Sequence, residues 1–137
     1  MWTTPTVMIT GGCGFIGSDF IHHLLQETRH SSNAHTKIVN FDCLSPPASS
    51  RTNVDAPSAE RCVLVAGNLS NAELLDRTLS SHRVAHLVHF AALTHVGDSF
   101  KRPEEFLEAN VRGTLCLLEA ARRYGHLKTF DPLCQHG

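Results

Sequence analysis

Residues 7–17, which read Val-Met-Ile-Thr-Gly-Gly-Cys-Gly-Phe-Ile-Gly, carry the clearest chemical signal in the chain. An apolar run enters this segment and an apolar-periodic stretch follows it, so the pattern predicts a strand, a tight turn and a helix. Gly11 and Gly12 permit a sharp reversal, and Gly14 leaves bare backbone that a phosphate could approach. The N–H groups of the first helical turn would face that phosphate and stabilise its charge. The segment is therefore typical of a turn that binds a dinucleotide.

The glycines fit two spacings, Gly12-x-Gly14-x-x-Gly17 and Gly11-x-x-Gly14-x-x-Gly17, and such turns also serve as plain connectors between a strand and a helix. Their context favours dinucleotide binding, because the next predicted strand ends at Asp42. An acidic residue after the second strand is the other mark of a dinucleotide-binding β-α-β unit. The interval from Gly17 to Asp42 is slightly longer than usual, and the polar loop at residues 29–36 absorbs the difference.

The rest of the chain alternates predicted strands and helices. Strands are predicted over residues 6–10, 37–41, 61–66 and 85–90, helices over 15–28, 71–80 and 103–124, and a proline-rich loop over 44–60. This alternation predicts an α/β fold, a Rossmann-like doubly wound parallel sheet with strand order 3-2-1-4. A fifth strand starts at residues 128–130, but Asp131 and Pro132 are predicted to break it, because proline cannot donate to a central ladder. Strand four would then form an exposed edge.

One face of the long predicted helix carries an asparagine. An asparagine buried without partners would cost about 1–3 kcal/mol, so Asn110 is predicted to tie the helix to strand four or to the crevice beside it. Gly113 is best explained by a close approach of the helix to the sheet. At steps of three and four residues, this face presents Phe106, Asn110, Gly113, Leu117, Ala120 and Tyr124.

Composition excludes several classes of function. The net charge of -1 gives no electrostatic signature of nucleic-acid binding. No apolar run approaches the length of a membrane span, and the N-terminus has no signal-peptide pattern. The five cysteines contain no Cys-x-x-Cys pair and the ten histidines show no metal-ligand spacing. We therefore expect a cytoplasmic protein with reduced thiols, no bound metal, and no nucleic-acid or membrane partner. Cys13, inside the turn, is interpreted as a tolerated small residue rather than a reactive thiol.

Five ordered motifs resemble one known family, the extended short-chain dehydrogenase/reductases. These are the NAD-dependent epimerases and dehydratases of nucleotide sugars. The segment Phe90-Ala-Ala-Leu-Thr-His-Val96 is most similar to the dTDP-glucose 4,6-dehydratases, whereas Val96-Gly-Asp-Ser99 is also similar to the UDP-glucose 4-epimerases. The five motifs lie at residues 10–17, 39–42, 67–70, 89–96 and 108–114.

The resemblance implies an NAD site. The pyrophosphate would lie on the glycine turn, Asp42 would hold the adenosine ribose and disfavour the 2′-phosphate of NADP, and the adenine would meet Asn68. Thr94 also matches a position that touches the sugar nucleotide, although a capping hydroxyl explains this residue equally well. Ala109 stands where relatives often have threonine near the cofactor. The implied cofactor-binding residues are Gly11, Gly14, Phe15, Ile16, Gly17, Asp42, Cys43, Leu44, Ser45, Asn68, Leu69, Phe90, Ala91, Ala92, Leu93 and Thr94.

The Tyr-x-x-x-Lys couple that performs proton transfer in the family has no match here. Tyr124 and Lys128 mimic its spacing, but they lie before the fifth strand. The expectation is therefore a C-terminally truncated form in which residues 1–137 supply the NAD-binding domain, without catalytic residues and without the sugar-nucleotide-binding domain. Two interpretations stay open: the NAD-binding portion of a dehydratase or epimerase of dTDP- or UDP-hexoses, and a non-catalytic NAD-binding fragment. Such a chain is expected to self-associate through its exposed sheet edge.

Overall fold

A computed structural model describes residues 5–30, 32–45 and 60–132 of the 137-residue chain. Within these ranges five parallel strands form one sheet in the order β3-β2-β1-β4-β5. The predicted Rossmann-like α/β fold is confirmed, and most of the predicted loop at 44–60 lies outside the described residues. The strands are β1 (Thr6–Thr10), β2 (Lys37–Asp42), β3 (Cys62–Ala66), β4 (Val84–His89) and β5 (Thr129–Pro132).

The helices follow the strands in the order that a doubly wound sheet requires. After β1 comes α1 (Phe15–Glu27), which a short 3₁₀ turn extends, and after β3 comes α2 (Ala72–Ser81). Asn71 caps α2, since its side chain accepts a hydrogen bond from the backbone N–H of Leu74 at 3.0 Å. A short helix that the sequence did not predict, α3 (Val96–Lys101), follows β4.

The long predicted helix is present over its full length, but its middle is not α-helical. It begins as α4 (Pro103–Phe106), continues as a π-helical stretch (Leu107–Arg112) and ends as α5 (Gly113–Tyr124). We call the middle stretch the π segment. The backbone N–H of Gly113 donates to the carbonyl of Glu108, five residues back, as π-helical geometry requires. Gly125 closes α5 in the left-handed conformation, with φ of 67°.

Side chains alternate between the two faces of the sheet and build two separate cores. On one face, Met8 and Leu87 pack with residues of α2 and α5; on the other, Ile9 and Val88 pack with residues of α1. Covering both faces of a parallel sheet explains why β1, β2 and β4 are rich in apolar residues. The loops that follow the carboxyl ends of β1, β2, β3 and β4 lie beyond these cores and line the site.

The prediction that Asp131 and Pro132 break the fifth strand was wrong. β5 runs through both residues, which pair with Val88 and His89 of β4. Proline is tolerated here because β5 is the outermost of the described strands on this side, so no further strand needs its N–H. The prediction of an exposed β4 was consequently also wrong, since β4 lies between β1 and β5.

Candidate functional site

The glycine turn packs directly on the backbone that follows β4. Gly11 has a φ of 71°, and a Cβ built on it would lie 2.7 Å from the backbone nitrogen of Ala91. Its N–H donates to the carbonyl of Phe41 at 2.9 Å, and its own carbonyl accepts the N–H of Gly14 at 3.1 Å. A Cβ on Gly17 would collide with the Gly11 carbonyl. The turn therefore needs glycine for its conformation and for its close contacts.

Asp42 fastens this turn to the end of β2. One carboxylate oxygen accepts the backbone N–H of Cys13 at 2.9 Å, and the other accepts that of Leu44 at 2.7 Å. The residue is only 3% exposed, so both bonds are made where water competes little. The carboxylate thus organises the turn and, at the same time, forms part of the surface of the neighbouring pocket.

Two loops form opposite walls of that pocket. The first, residues 67–70, follows β3 and is tightened by the N–H of Ser70, which donates to the side chain of Asn68 at 2.9 Å. The second, residues 90–95, follows β4 and is held to β1 by the N–H of Phe90, which donates to the carbonyl of Thr10 at 3.0 Å. The side chain of Asn110 holds this second loop through Leu93, donating to its carbonyl and accepting its N–H. The predicted role of Asn110 is therefore confirmed.

The turn and the two loops enclose a cavity of about 440 Å³ at the carboxyl ends of the strands. All the residues that the resemblance implied line it, except Leu44, which has a φ of 57° and lies outside the lining. Phe41, Gly67 and His95 line it as well and were not predicted, although each is adjacent in sequence to a predicted residue. The geometry brings the set together, and the binding role of each residue stays a prediction.

His89, at the end of β4, joins β1 to α5 beside the site, a role that the sequence did not indicate. Its Nδ1 lies 2.6 Å from the hydroxyl oxygen of Thr10 on β1, and its Nε2 lies 3.0 Å from that of Thr114 on α5. Burial lowers the pKa of His89 below its ordinary value of 6.5. A neutral imidazole can donate at one nitrogen and accept at the other, so it can bridge two hydroxyl groups.

Of the thiols near the turn, Cys13 is buried, Cys62 on β3 is half-buried and Cys43 is exposed. Cys13 is 1% exposed, accepts a hydrogen bond from the Asn40 amide at 3.3 Å and does not line the cavity. Burial, with a smaller contribution from Cys13, raises the pKa of Cys62 to about 11. A thiol of such high pKa is a poor nucleophile at neutral pH. The interpretation of Cys13 as a small packing residue agrees with this placement.

Tyr124 and Lys128 lie at the other end of the sheet. The Tyr124 ring stands edge-on to His126, with ring centroids 5.3 Å apart, in a second hollow that Val84 and Ala85 line at the start of β4. Lys128 donates its backbone N–H to the carbonyl of Ala85 at 2.7 Å. Ligands of open α/β sheets bind at the carboxyl ends of the strands. Tyr124 and Lys128 lie beside the amino end of β4 and are therefore remote from the cavity.

The parallel sheet, the glycine turn and the acid that ends β2 define a nucleotide-binding domain of the Rossmann type. The model of one protein family, described as GDP-mannose 4,6 dehydratase, matches residues 8–132, and the chain belongs to this family. No helix among residues 5–30, 32–45 and 60–132 is long and apolar enough to cross a membrane.

Individual relatives agree with the family. Over 119 residues the chain is 44% identical to dTDP-glucose 4,6-dehydratase of Mycolicibacterium smegmatis, and this match covers 86% of the chain and 33% of that protein. A dTDP-glucose 4,6-dehydratase from Streptomyces venezuelae, solved with NAD bound, is similar at a TM-score of 0.77 and 38% identity, covering 88% of this chain and 36% of that one. The predicted resemblance to the dehydratases is therefore confirmed.

The epimerase side of the family is represented too. UDP-glucose 4-epimerase from Thermotoga maritima, solved with UDP-glucose, is similar at a TM-score of 0.77 and 27% identity, covering 93% of this chain and 37% of that one. The predicted resemblance to both branches is thus confirmed at the level of the fold. The chain spans about a third of the length of the curated relatives that it matches.

Proposed function

We propose that this chain binds NAD and is the NAD-binding portion of a nucleotide-sugar dehydratase of the dTDP-glucose 4,6-dehydratase type. The observation that carries the proposal is the convergence of the glycine turn, Asp42 and the two loops at 67–70 and 90–95 on one cavity. The NAD bound in the Streptomyces venezuelae dehydratase, which is similar over 88% of this chain, supports the choice of cofactor.

The residues of the cavity fit the parts of NAD in order. Gly14, which lines the cavity and directly precedes α1, leaves bare backbone where a pyrophosphate could meet the N–H groups that begin this helix. Asp42 presents a carboxylate that suits ribose hydroxyls and would repel a 2′-phosphate. Asn68 and Leu69 would contact the adenine, and residues 90–94 would lie along the nicotinamide. Bound NAD supplies a hydride acceptor, and these residues orient it and shield it from water.

Thr94 would provide one contact with the nucleotide sugar. It lies at the rim of the cavity and is exposed, so its hydroxyl is accessible to a ligand beside the nicotinamide. We assign no proton-transfer role among residues 5–30, 32–45 and 60–132, because Tyr124 lies at the opposite end of the sheet. The substrate itself, a dTDP- or UDP-hexose, and the rest of the catalytic machinery are proposed from the family alone.

Two other functions have specific support. An epimerase of the UDP-glucose type is favoured by the sequence Val96-Gly-Asp-Ser99 and by the similarity to the Thermotoga maritima enzyme. A non-catalytic NAD-binding role is favoured by the position of Tyr124 far from the cavity.

We also propose that copies of the chain associate through the outer edge of β5, whose backbone groups have no neighbouring strand among the described residues. We propose a cytoplasmic location as well, which is supported by the thiols of Cys43, Cys62 and Cys116, since none of these three is in a disulfide among the described residues.

Calorimetric titration with NAD and with NADP, paired with turnover assays on dTDP-glucose and UDP-glucose, tests the proposal. We expect NAD to bind at least about tenfold more tightly than NADP, because of the Asp42 carboxylate. Turnover of dTDP-glucose would establish the dehydratase, turnover of UDP-glucose the epimerase, and binding without turnover the non-catalytic role. No measurable NAD binding would refute the proposal itself.

A further inference from the structure

The π segment lies against both walls of the cavity. The side chain of Glu108 accepts a hydrogen bond from the hydroxyl of Ser70 at 2.8 Å, in the loop where adenine would bind. Two residues further on, the Asn110 amide accepts the N–H of Leu93 at 2.8 Å and donates to its carbonyl at 2.9 Å, in the loop on the nicotinamide side. Ala109, between these two residues, lines the cavity itself.

The start of α5 repeats this double attachment one turn later. Gly113 packs on the first wall, since a Cβ built on it would lie 3.3 Å from the Cβ of Leu69. Thr114 holds the second wall through His89, which directly precedes that loop. Glu108 and Gly113 thus contact the first wall, whereas Asn110 contacts the second wall and Thr114 is joined to it through His89.

Helical geometry explains why a π segment is useful here. Each residue of an α-helix turns the side chain by about 100°, so one inserted residue changes which face the preceding residues present. α5 is fixed by Leu117 and Ala120, which are fully buried in the core. The extra residue of the π segment therefore rotates the side chains of Glu108 and Asn110 relative to α5, while Leu117 and Ala120 keep their places in the core.

We propose that the π segment, through Glu108 and Asn110, fixes the separation of the two loops and so tunes the cavity to a ligand that spans both. The proposal rests on the proposed NAD function. Glu108 and Asn110 are positioning residues, because neither lines the cavity. A ligand that touches both walls, such as NAD, depends on their separation, whereas AMP would touch the glycine turn, Asp42 and, of the two walls, only the one at 67–70.

The ratio of NAD affinity to AMP affinity separates this role from general stability. We expect Asn110→Ala to weaken NAD binding about tenfold and AMP binding less than about twofold, since small misplacements of a positioned group have large effects on binding geometry. Glu108→Ala should weaken NAD binding about fivefold, the equivalent of one hydrogen bond. Glu108→Gln keeps the acceptor for Ser70 and should restore binding. Val111→Ala is the matched control, because Val111 belongs to the π segment and is 59% exposed.

A deletion of Val111 restores ordinary α-helical spacing and provides the strongest test. We expect it to weaken NAD binding at least tenfold, with AMP binding near the parent value, and to accelerate hydrogen exchange in both loops of the ligand-free chain. Circular dichroism and thermal unfolding check that the variant is folded; if it is not, Asn110→Ala and Glu108→Ala decide.

Parallel losses of NAD and AMP affinity, or unchanged NAD affinity in Asn110→Ala, would overturn the positioning role. Unchanged exchange in both loops of the deletion variant would overturn it as well, without reference to NAD. Failure of the parent chain to bind NAD would instead refute the proposed function, and with it the part of this inference that concerns NAD.

Discussion

The carboxylate of Asp42 accepts the backbone N–H of Cys13 at 2.9 Å, and so joins the end of β2 to the middle of the glycine turn. Its second oxygen holds the N–H of Leu44 at 2.7 Å. One buried side chain thereby fixes the turn, the end of the strand and the polar surface of the cavity. Changes at Asp42 should therefore affect binding and stability together.

Asp42→Asn removes the charge and puts an amide N–H₂ group opposite one of the two backbone donors. We expect NAD affinity to fall about tenfold, discrimination against NADP to relax, and the free energy of unfolding to fall by about 1–3 kcal/mol. Calorimetry and urea unfolding measure the three effects. Asp76→Asn is the control, because Asp76 is an exposed partner of Arg123 and should change stability by less than about 1 kcal/mol. Unaltered preference for NAD over NADP would contradict the assignment.

Gly11→Ala tests the close contact within the turn. The new Cβ would meet the backbone of Ala91 at 2.7 Å, and the φ of 71° adds about 1–2 kcal/mol of strain for a residue with a Cβ. We expect loss of NAD binding and a clear decrease in the urea midpoint. Gly97→Ala is the matched control, since nothing lies within 4 Å of a Cβ built there. Equal behaviour of the two variants would show that the turn does not have this geometry.

His89 should make stability depend on pH. Because burial lowers its folded pKa below 6.5, the unfolded chain takes up a proton first as the pH falls, and unfolding is favoured. The contribution of His89 to the free energy of unfolding is complete above pH 6.5. It decreases as the pH falls from there towards the folded pKa, by about 1.4 kcal/mol for each unit by which the pKa of His89 is lowered in the folded chain. Urea unfolding from pH 8 to pH 5 measures this decrease.

The variant His89→Asn should show a flatter pH dependence than the parent chain over that interval. His23→Asn, which removes an exposed histidine from α1, should follow the parent curve. Parallel curves for the parent and His89→Asn would show that the buried imidazole does not cause the effect.

Thiol labelling should report occupancy of the cavity. Cys43 is exposed and lines the cavity, whereas Cys62 has a pKa of about 11, so only about one molecule in a thousand carries the Cys62 thiolate at pH 8. We expect a chromogenic disulfide to label Cys43 quickly and Cys62 slowly, and NAD to protect Cys43. Cys43→Ser identifies the fast phase by its disappearance. A fast phase that NAD leaves unchanged would place the ligand elsewhere.

The fold was predictable from sequence wherever the signal is local. The bounds of β1 were predicted correctly and those of the other early elements to within about two residues, because periodic apolar residues mark a strand or helix on their own. α3 was missed because its six residues bury no side chain and so leave no pattern. β5 was misjudged because the effect of Pro132 depends on whether the strand is central or at an edge, which only the assembled sheet defines.

The residues of the site also fall into those that local sequence patterns predict and those that only the assembled structure brings together. The sequence by itself determined the glycine turn, the acid that ends β2 and the asparagine on the long helix, because each is a local rule about backbone freedom, charge or burial. Only the tertiary structure decided that Glu108 and Asn110 reach opposite walls of one cavity and that His89 bridges Thr10 and Thr114. These contacts join residues far apart in the chain, and their geometry depends on how the helices pack against the sheet, which no local pattern records.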